Sequence, residues 1–126
     1  MPKIAFLRPT ESVDLDRGRL DSLCRCIGPS ATGEIACRAM EELAVRQSSI
    51  SAALCDKDLP TVARLARSMV GIADQLGLVT LAKTSEHLAR TARTKDENAI
   101  AALGARLCRV GDQSLVAIWD LQDLSV

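Results

Sequence analysis

From Leu20 to Leu121 the apolar residues of this chain recur three and four positions apart, interrupted only by short polar or glycine- and proline-bearing breaks. That spacing lines up side chains on one face of an α-helix, whereas a half-buried strand would alternate apolar and polar residues. The pattern is sharpest over residues 59–76, where Val62, Leu65, Met69, Ile72, Ala73 and Leu76 form one stripe. Asp58 precedes it as an N-cap, Pro60 suits a first helical turn and Gly77 suits the position just past the end.

The same reading extends along the chain. A short first helix is expected over residues 14–27, with Leu20, Leu23 and Ile27 on one side, closed by Gly28-Pro29. A second covers 31–55, with Ile35, Ala39, Leu43, Ile50, Ala53 and Leu54 inward. Arg46 falls inside that stripe, so it must reach out to solvent or find a partner. A fourth spans 78–93, with Leu78, Leu81, Ala82, Ser85, Leu88 and Ala89 inward. Thr94 and Glu97 have capping-box spacing and would start the fifth. Its stripe is Ile100, Leu103, Leu107, Val110, Ser114, Ile118 and Leu121, and the phase holds across Gly111. One long helix is expected there; a break at Gly111-Asp112 is the alternative. The expected fold is all-α: a single domain over 1–126, in which an up-down four-helix bundle over 31–121 follows the short helix and an N-terminal extension over 1–13. Short connections favour antiparallel neighbours.

Composition agrees. Aromatic residues are 2% of the chain, Phe6 and Trp119 alone, so Leu, Ile, Val, Ala and Met must fill the core. Sheets favour aromatic and β-branched residues; helix-on-helix packing does not need them. Sixteen basic and sixteen acidic residues cancel, and no basic run offers the footprint of a nucleic-acid binder. No apolar run approaches the ~20 residues of a membrane span. The apolar part of the first fourteen residues is too short for a secretion signal, so a cytoplasmic location is expected. Five cysteines (24, 26, 37, 55 and 108) fit neither a disulfide framework nor a zinc motif, and are read as reduced thiols.

Several chemical motifs fail on inspection. Residues 28–33 have the glycine spacing of a phosphate-binding loop, but Glu34 and Ile35 stand where Lys and Ser or Thr are required. His87 is the single histidine, on the polar face of the fourth helix. With no second histidine and no carboxylate cluster beside it, no metal site is expected. It is read as a solvated surface residue, with a phospho-acceptor role as the alternative. No nucleophile can be matched to it as a base. No enzyme activity and no cofactor are expected.

The third helix carries the most informative stretch. Ala66-Arg67-Ser68-Met69-Val70-Gly71, followed at a distance by Leu76-Gly77, is preceded by Ala53-Leu54 and Asp58 and followed by Leu81 and Glu86. This order resembles the histidine-containing phosphotransfer (HPt) family of two-component signalling, whose helix reads Ala-His-x-Leu-Lys-Gly and then Leu-Gly. The similarity covers roughly Asp14 to Leu107. It implies a helical bundle that offers a phospho-accepting histidine to a kinase or receiver domain. The departures fall on the chemistry: Arg67 stands at the histidine and Val70 at the lysine. Arg67, Val70, Gly71 and Asp74 share the face away from the core stripe, with Arg64 one turn earlier. A guanidinium is not a nucleophile and cannot take the histidine's role. Ser68 borders this face, and its phosphorylation would not be relay chemistry. The resemblance thus implies a degenerate member that binds a histidine kinase or a response-regulator receiver without carrying phosphate. The competing reading is a self-associating or scaffolding bundle, motivated by Ile4, Ala5 and Phe6 at one end and by Leu115, Val116, Trp119 and Leu124 at the other. A homodimer suits both.

Overall fold

The computed structural model describes residues 12–124, and the backbone alone for 121–124. Five helices follow in order: α1 (Arg17–Ile27), α2 (Pro29–Cys55), α3 (Leu59–Leu76), α4 (Val79–Thr91) and α5 (Glu97–Leu124). Helices α2 to α5 form the expected bundle, each packing on its neighbours in sequence, with α5 returning against α2. The direction of that return is set by three facing pairs. Gln47 Nε2 donates to Asp112 Oδ1 (3.2 Å), Ser51 Oγ lies 3.7 Å from Cys108 Sγ, and Leu54 covers Gly104. Positions rise along α2 as they fall along α5, so the two are antiparallel.

The core is the set of stripes read from the sequence. Val62, Met69, Ala73 and Leu76 of α3, Leu81 and Leu88 of α4, and Ile100, Leu107, Val110 and Ile118 of α5 are all buried. Ala63, Ala66, Ala82, Ala89 and Ala92 fill the narrow spaces between helices. Leu65 and Ile72 are half-buried at the edges. The fifth helix runs unbroken through Gly111, where a side chain would run into Gln47.

Several boundaries and one stripe differ from the sequence reading. The first helix starts at Arg17, not 14, because Asp16 caps it by accepting from Gly18 N (3.0 Å). The second starts at Pro29, not 31: Gly28 at φ +89° turns the chain, and proline occupies the first turn, where its missing N–H is not needed. Ile35 and Ile27 are exposed, at 46% and 43%. The buried line on the early part of α2 is Thr32, Ala36 and Met40, one position on from the expected Ile35 and Ala39. Hydrophobicity favoured isoleucine, but the phase fixed by Leu43 and Ile50 favours 36 and 40. The fourth helix spans 79–91 rather than 78–93. The Thr94–Glu97 box does not form. Thr94 Oγ1 donates to Thr91 O (2.7 Å), and Asp96 caps α5 by accepting from Ala99 N (3.2 Å). Asp58 caps α3 as expected, accepting from Thr61 N (3.3 Å), and Gly77 ends it at φ +75°.

Ahead of α1, residues 14–16 run against the α3–α4 turn. Asp16 N donates to Gly77 O (2.7 Å), Val79 N to Asp14 O (3.1 Å) and Asp14 N to Thr80 Oγ1 (2.7 Å). One antiparallel bridge, Leu15 to Leu78, results. Ile4, Ala5 and Phe6 lie outside the described residues, as do the side chains of Leu121 and Leu124. No described helix is long and apolar enough to cross a membrane.

Candidate functional site

Helix α3 sits between α2 and α4, so its apolar stripe is covered and its opposite face is presented outward. Arg64, Arg67, Gly71 and Asp74 are exposed, with Val70 half-buried beside them. Positions 67, 70, 71 and 74 are three and four apart, so these residues form one ridge along the helix. The sequence reading brought them together, and the structure places them so. The side chains of Arg64, Arg67 and Asp74 make no hydrogen bond or ion pair among the described residues. Nothing in the fold consumes these charges.

Gly71 stands out on this ridge. A Cβ built there meets nothing within 4 Å. The interior of a helix disfavours glycine by about 1 kcal/mol relative to alanine. The fold therefore needs no glycine at 71, and what the residue provides is a low, open surface beside Arg67.

The sequence flagged Arg46 as a cation within an apolar stripe. The structure resolves its position and adds it to the site. Arg46 Nε donates to Ser68 Oγ (3.0 Å), while Nη1 reaches Glu42 O (3.4 Å) and lies 3.8 Å from Glu42 Oε2. Ser68 Oγ in turn donates to Leu65 O (2.7 Å). Arg46 is thus drawn out of the α2 stripe to the edge of α3, at the residue that follows Arg67 in the chain. Two sequence signals pointed this way: a charged residue on a buried stripe, and a small hydroxyl residue bordering the outward face. Their pairing needed the α2–α3 alignment.

His87 is exposed on α4. It lines a cleft of about 520 Å³ with Lys83 and Arg90 of its own helix and Arg106 of α5. Neither Arg46 nor Ser68 lines this cleft, so His87 belongs to a separate surface. A second cleft, about 570 Å³, opens between α2 and α5 and is walled by Leu54, Ile100, Gly104 and Ala105. The described cysteines are all free thiols, and no group of three or more metal-ligating side chains gathers among the described residues.

No family-level sequence profile matches the chain, and no curated protein does. Among solved structures, the chain is similar to histidine-containing phosphotransfer protein B (HptB) from Pseudomonas aeruginosa PAO1. The two share 22% sequence identity and superpose with a TM-score of 0.80, over 86% of this chain and 94% of that one. The all-α bundle of α2 to α5, with α1 packed against α2 and α3, is therefore an HPt-like fold.

Proposed function

We propose that the chain is a phosphorelay signalling module that binds rather than transfers. It docks on a histidine kinase or a receiver domain through the outward face of α3, and it does not itself carry phosphate. The observation that supports this most is Arg67. On an HPt-like fold it occupies the place where the family resemblance puts the phospho-histidine, exposed and unpartnered, with open space over Gly71 one turn away. A guanidinium has five donors and no free lone pair, so it can hold an anionic group but cannot accept a phosphoryl group as imidazole does. Val70 likewise supplies no charge where the family's lysine stands. Catalysis forms no part of this role, and cytoplasmic signalling is the setting it implies.

The deciding experiment is paired. Purified receiver and kinase domains of the source organism are tested for binding and for phosphoryl exchange, with the wild type and with Arg67→His/Val70→Lys. Binding without exchange in the wild type, and exchange gained by the double variant, is the expected result. Absence of binding to every kinase and receiver would refute the proposal.

One observation favours a second role. Val116 and Trp119, one turn apart on α5, are 53% and 51% exposed. Large apolar side chains left in solvent mark contact surfaces. Self-association through α5 is compatible with docking through α3, because the two helices lie across the bundle from each other. Trp119→Ser would dissociate such a dimer in sedimentation experiments while leaving the α3 face intact.

A further inference from the structure

The outward face of α3 is not electrically even. Arg64 and Arg67 stand on successive turns, and Arg46 is brought to the same edge by its hydrogen bond to Ser68. Against these three cations stand Glu42, already turned toward Arg46, and Asp74, about two turns from Arg67. We propose that this arginine cluster recognises a phosphoryl group carried on the aspartate of a receiver domain, so that the protein binds phosphorylated receivers in preference to unphosphorylated ones. The inference rests on the docking role proposed above and adds its regulation.

Three features carry it. First, Arg64 and Arg67 have no partner among the described residues, so no internal ion pair must break before they engage a ligand. Second, Arg46 is held at Nε by Ser68 and at Nη1 by Glu42, which fixes the plane of its guanidinium in advance. A guanidinium already fixed in place loses less side-chain freedom when its remaining N–H groups meet a ligand. Third, the chemistry matches: guanidinium forks pair with phosphoryl oxygens in parallel N–H···O bonds, and charge-assisted bonds of this kind are about twice as strong as neutral ones. A bare carboxylate pocket would also be attracted. Adding a dianionic group raises the attraction to every arginine at once. No covalent step is involved, and the phosphoryl group stays on its aspartate.

The test measures the affinity of the full chain for each receiver domain of the source organism, with magnesium, before and after treatment with beryllofluoride, which mimics the aspartyl phosphate. The expected result is binding about tenfold tighter, or more, to the treated form, with the ratio shrinking as salt is raised. In Arg64→Gln/Arg67→Gln the ratio falls to about one. Both side chains are exposed, so helix content measured by circular dichroism should match the wild type. Lys83→Gln/Arg90→Gln, on α4, removes the same two charges, keeps the ratio and controls for net charge. Equal affinity for treated and untreated receivers overturns this inference while leaving docking through α3 standing. Binding to no receiver at all, or only to a kinase domain, overturns it too, and binding to neither class removes the docking role with it.

Discussion

Two glycines of the α3 segment offer a matched experiment, because the same change to alanine is expected to move stability in opposite directions. Gly77 adopts φ +75°, a conformation that costs an L-residue about 1–2 kcal/mol. A Cβ there would also overlap the carbonyl oxygen of Asp16. That obstacle is backbone and cannot rotate aside, so residues 14–16 must lift from the α3–α4 turn. Lifting breaks the bonds from Asp16 N to Gly77 O and from Val79 N to Asp14 O, each worth about 0.5–1.5 kcal/mol net. Strain and lost bonds together come to about 2–5 kcal/mol. For a domain of this size, 1 kcal/mol corresponds to roughly 3–5 °C in Tm, so Gly77→Ala should lower Tm by roughly 6–25 °C. At Gly71 the helix is regular and a Cβ meets open space. Gly71→Ala should add about 0.5–1 kcal/mol and raise Tm by about 2–5 °C. Thermal and urea unfolding followed by far-UV circular dichroism reads both. Gly77→Asn separates the two causes at that site: asparagine tolerates the left-handed backbone but keeps the Cβ, so it should recover only part of the loss. A Gly77→Ala protein within about 1 kcal/mol of wild type would refute the seating of residues 14–16 on the turn. A destabilised Gly71→Ala protein would refute the open-face reading of α3.

Further outcomes follow from the core, the caps and the site. Ser85 Oγ and Ser114 Oγ are buried and find no hydrogen-bond partner among the described residues. Ser85→Ala and Ser114→Ala should each stabilise by about 1 kcal/mol in urea unfolding, because a stranded hydroxyl is removed and alanine is the better helix former. Asp96→Ala should cost about 1 kcal/mol by the loss of its bond to Ala99 N, and Thr94→Ala clearly less; the reverse order would restore the Thr94 cap. Met69→Ala opens a hole at the centre of the bundle, where the side chain is 0% exposed, and should cost about 2–5 kcal/mol. Incubation with a phosphorylated receiver should leave no acid-labile label on the wild type; label that disappears in His87→Ala would assign phosphoryl transfer to α4 instead.

The helices and most of the core were legible because the apolar spacing is regular and each break carries its own chemistry. Asp58 and Gly77 announced both ends of α3, and the inward stripe of α4 was readable apart from Thr84, which is also buried. The early part of α2 was not. Ile35 and Ala36 are adjacent: counting back by seven from Ile50 and Leu43 leads to Ala36, but isoleucine is much the more hydrophobic of the two, and that weight drew the stripe onto the wrong one. The capping error at Thr94 has a similar origin. Two capping residues stand two positions apart, Thr94 and Asp96, and Asp96 wins because the chain reaches helical geometry at Glu97. For the site, the ridge on α3 could be read from spacing alone, whereas the contribution of Arg46 depended on the alignment of two helices. The linear chain showed that Arg46 needed a partner, and only the packed bundle showed that the partner stands beside Arg67.

The contact of α2 with α5 has a consequence for how insertions and deletions would be absorbed. Leu54 and Gln47, seven residues apart, seat over Gly104 and Gly111, also seven apart. Only one axial alignment fills both hollows with side chains that suit them. Slid by one turn, Gln47 would oppose Leu115 and Leu54 would oppose Cys108, which leaves an amide against an apolar side chain and the hollows unfilled. The two long helices are thus keyed like a ratchet with a single tooth position. A residue added or removed between 92 and 96 would be taken up as slack in that connection, and α5 would stay where it is.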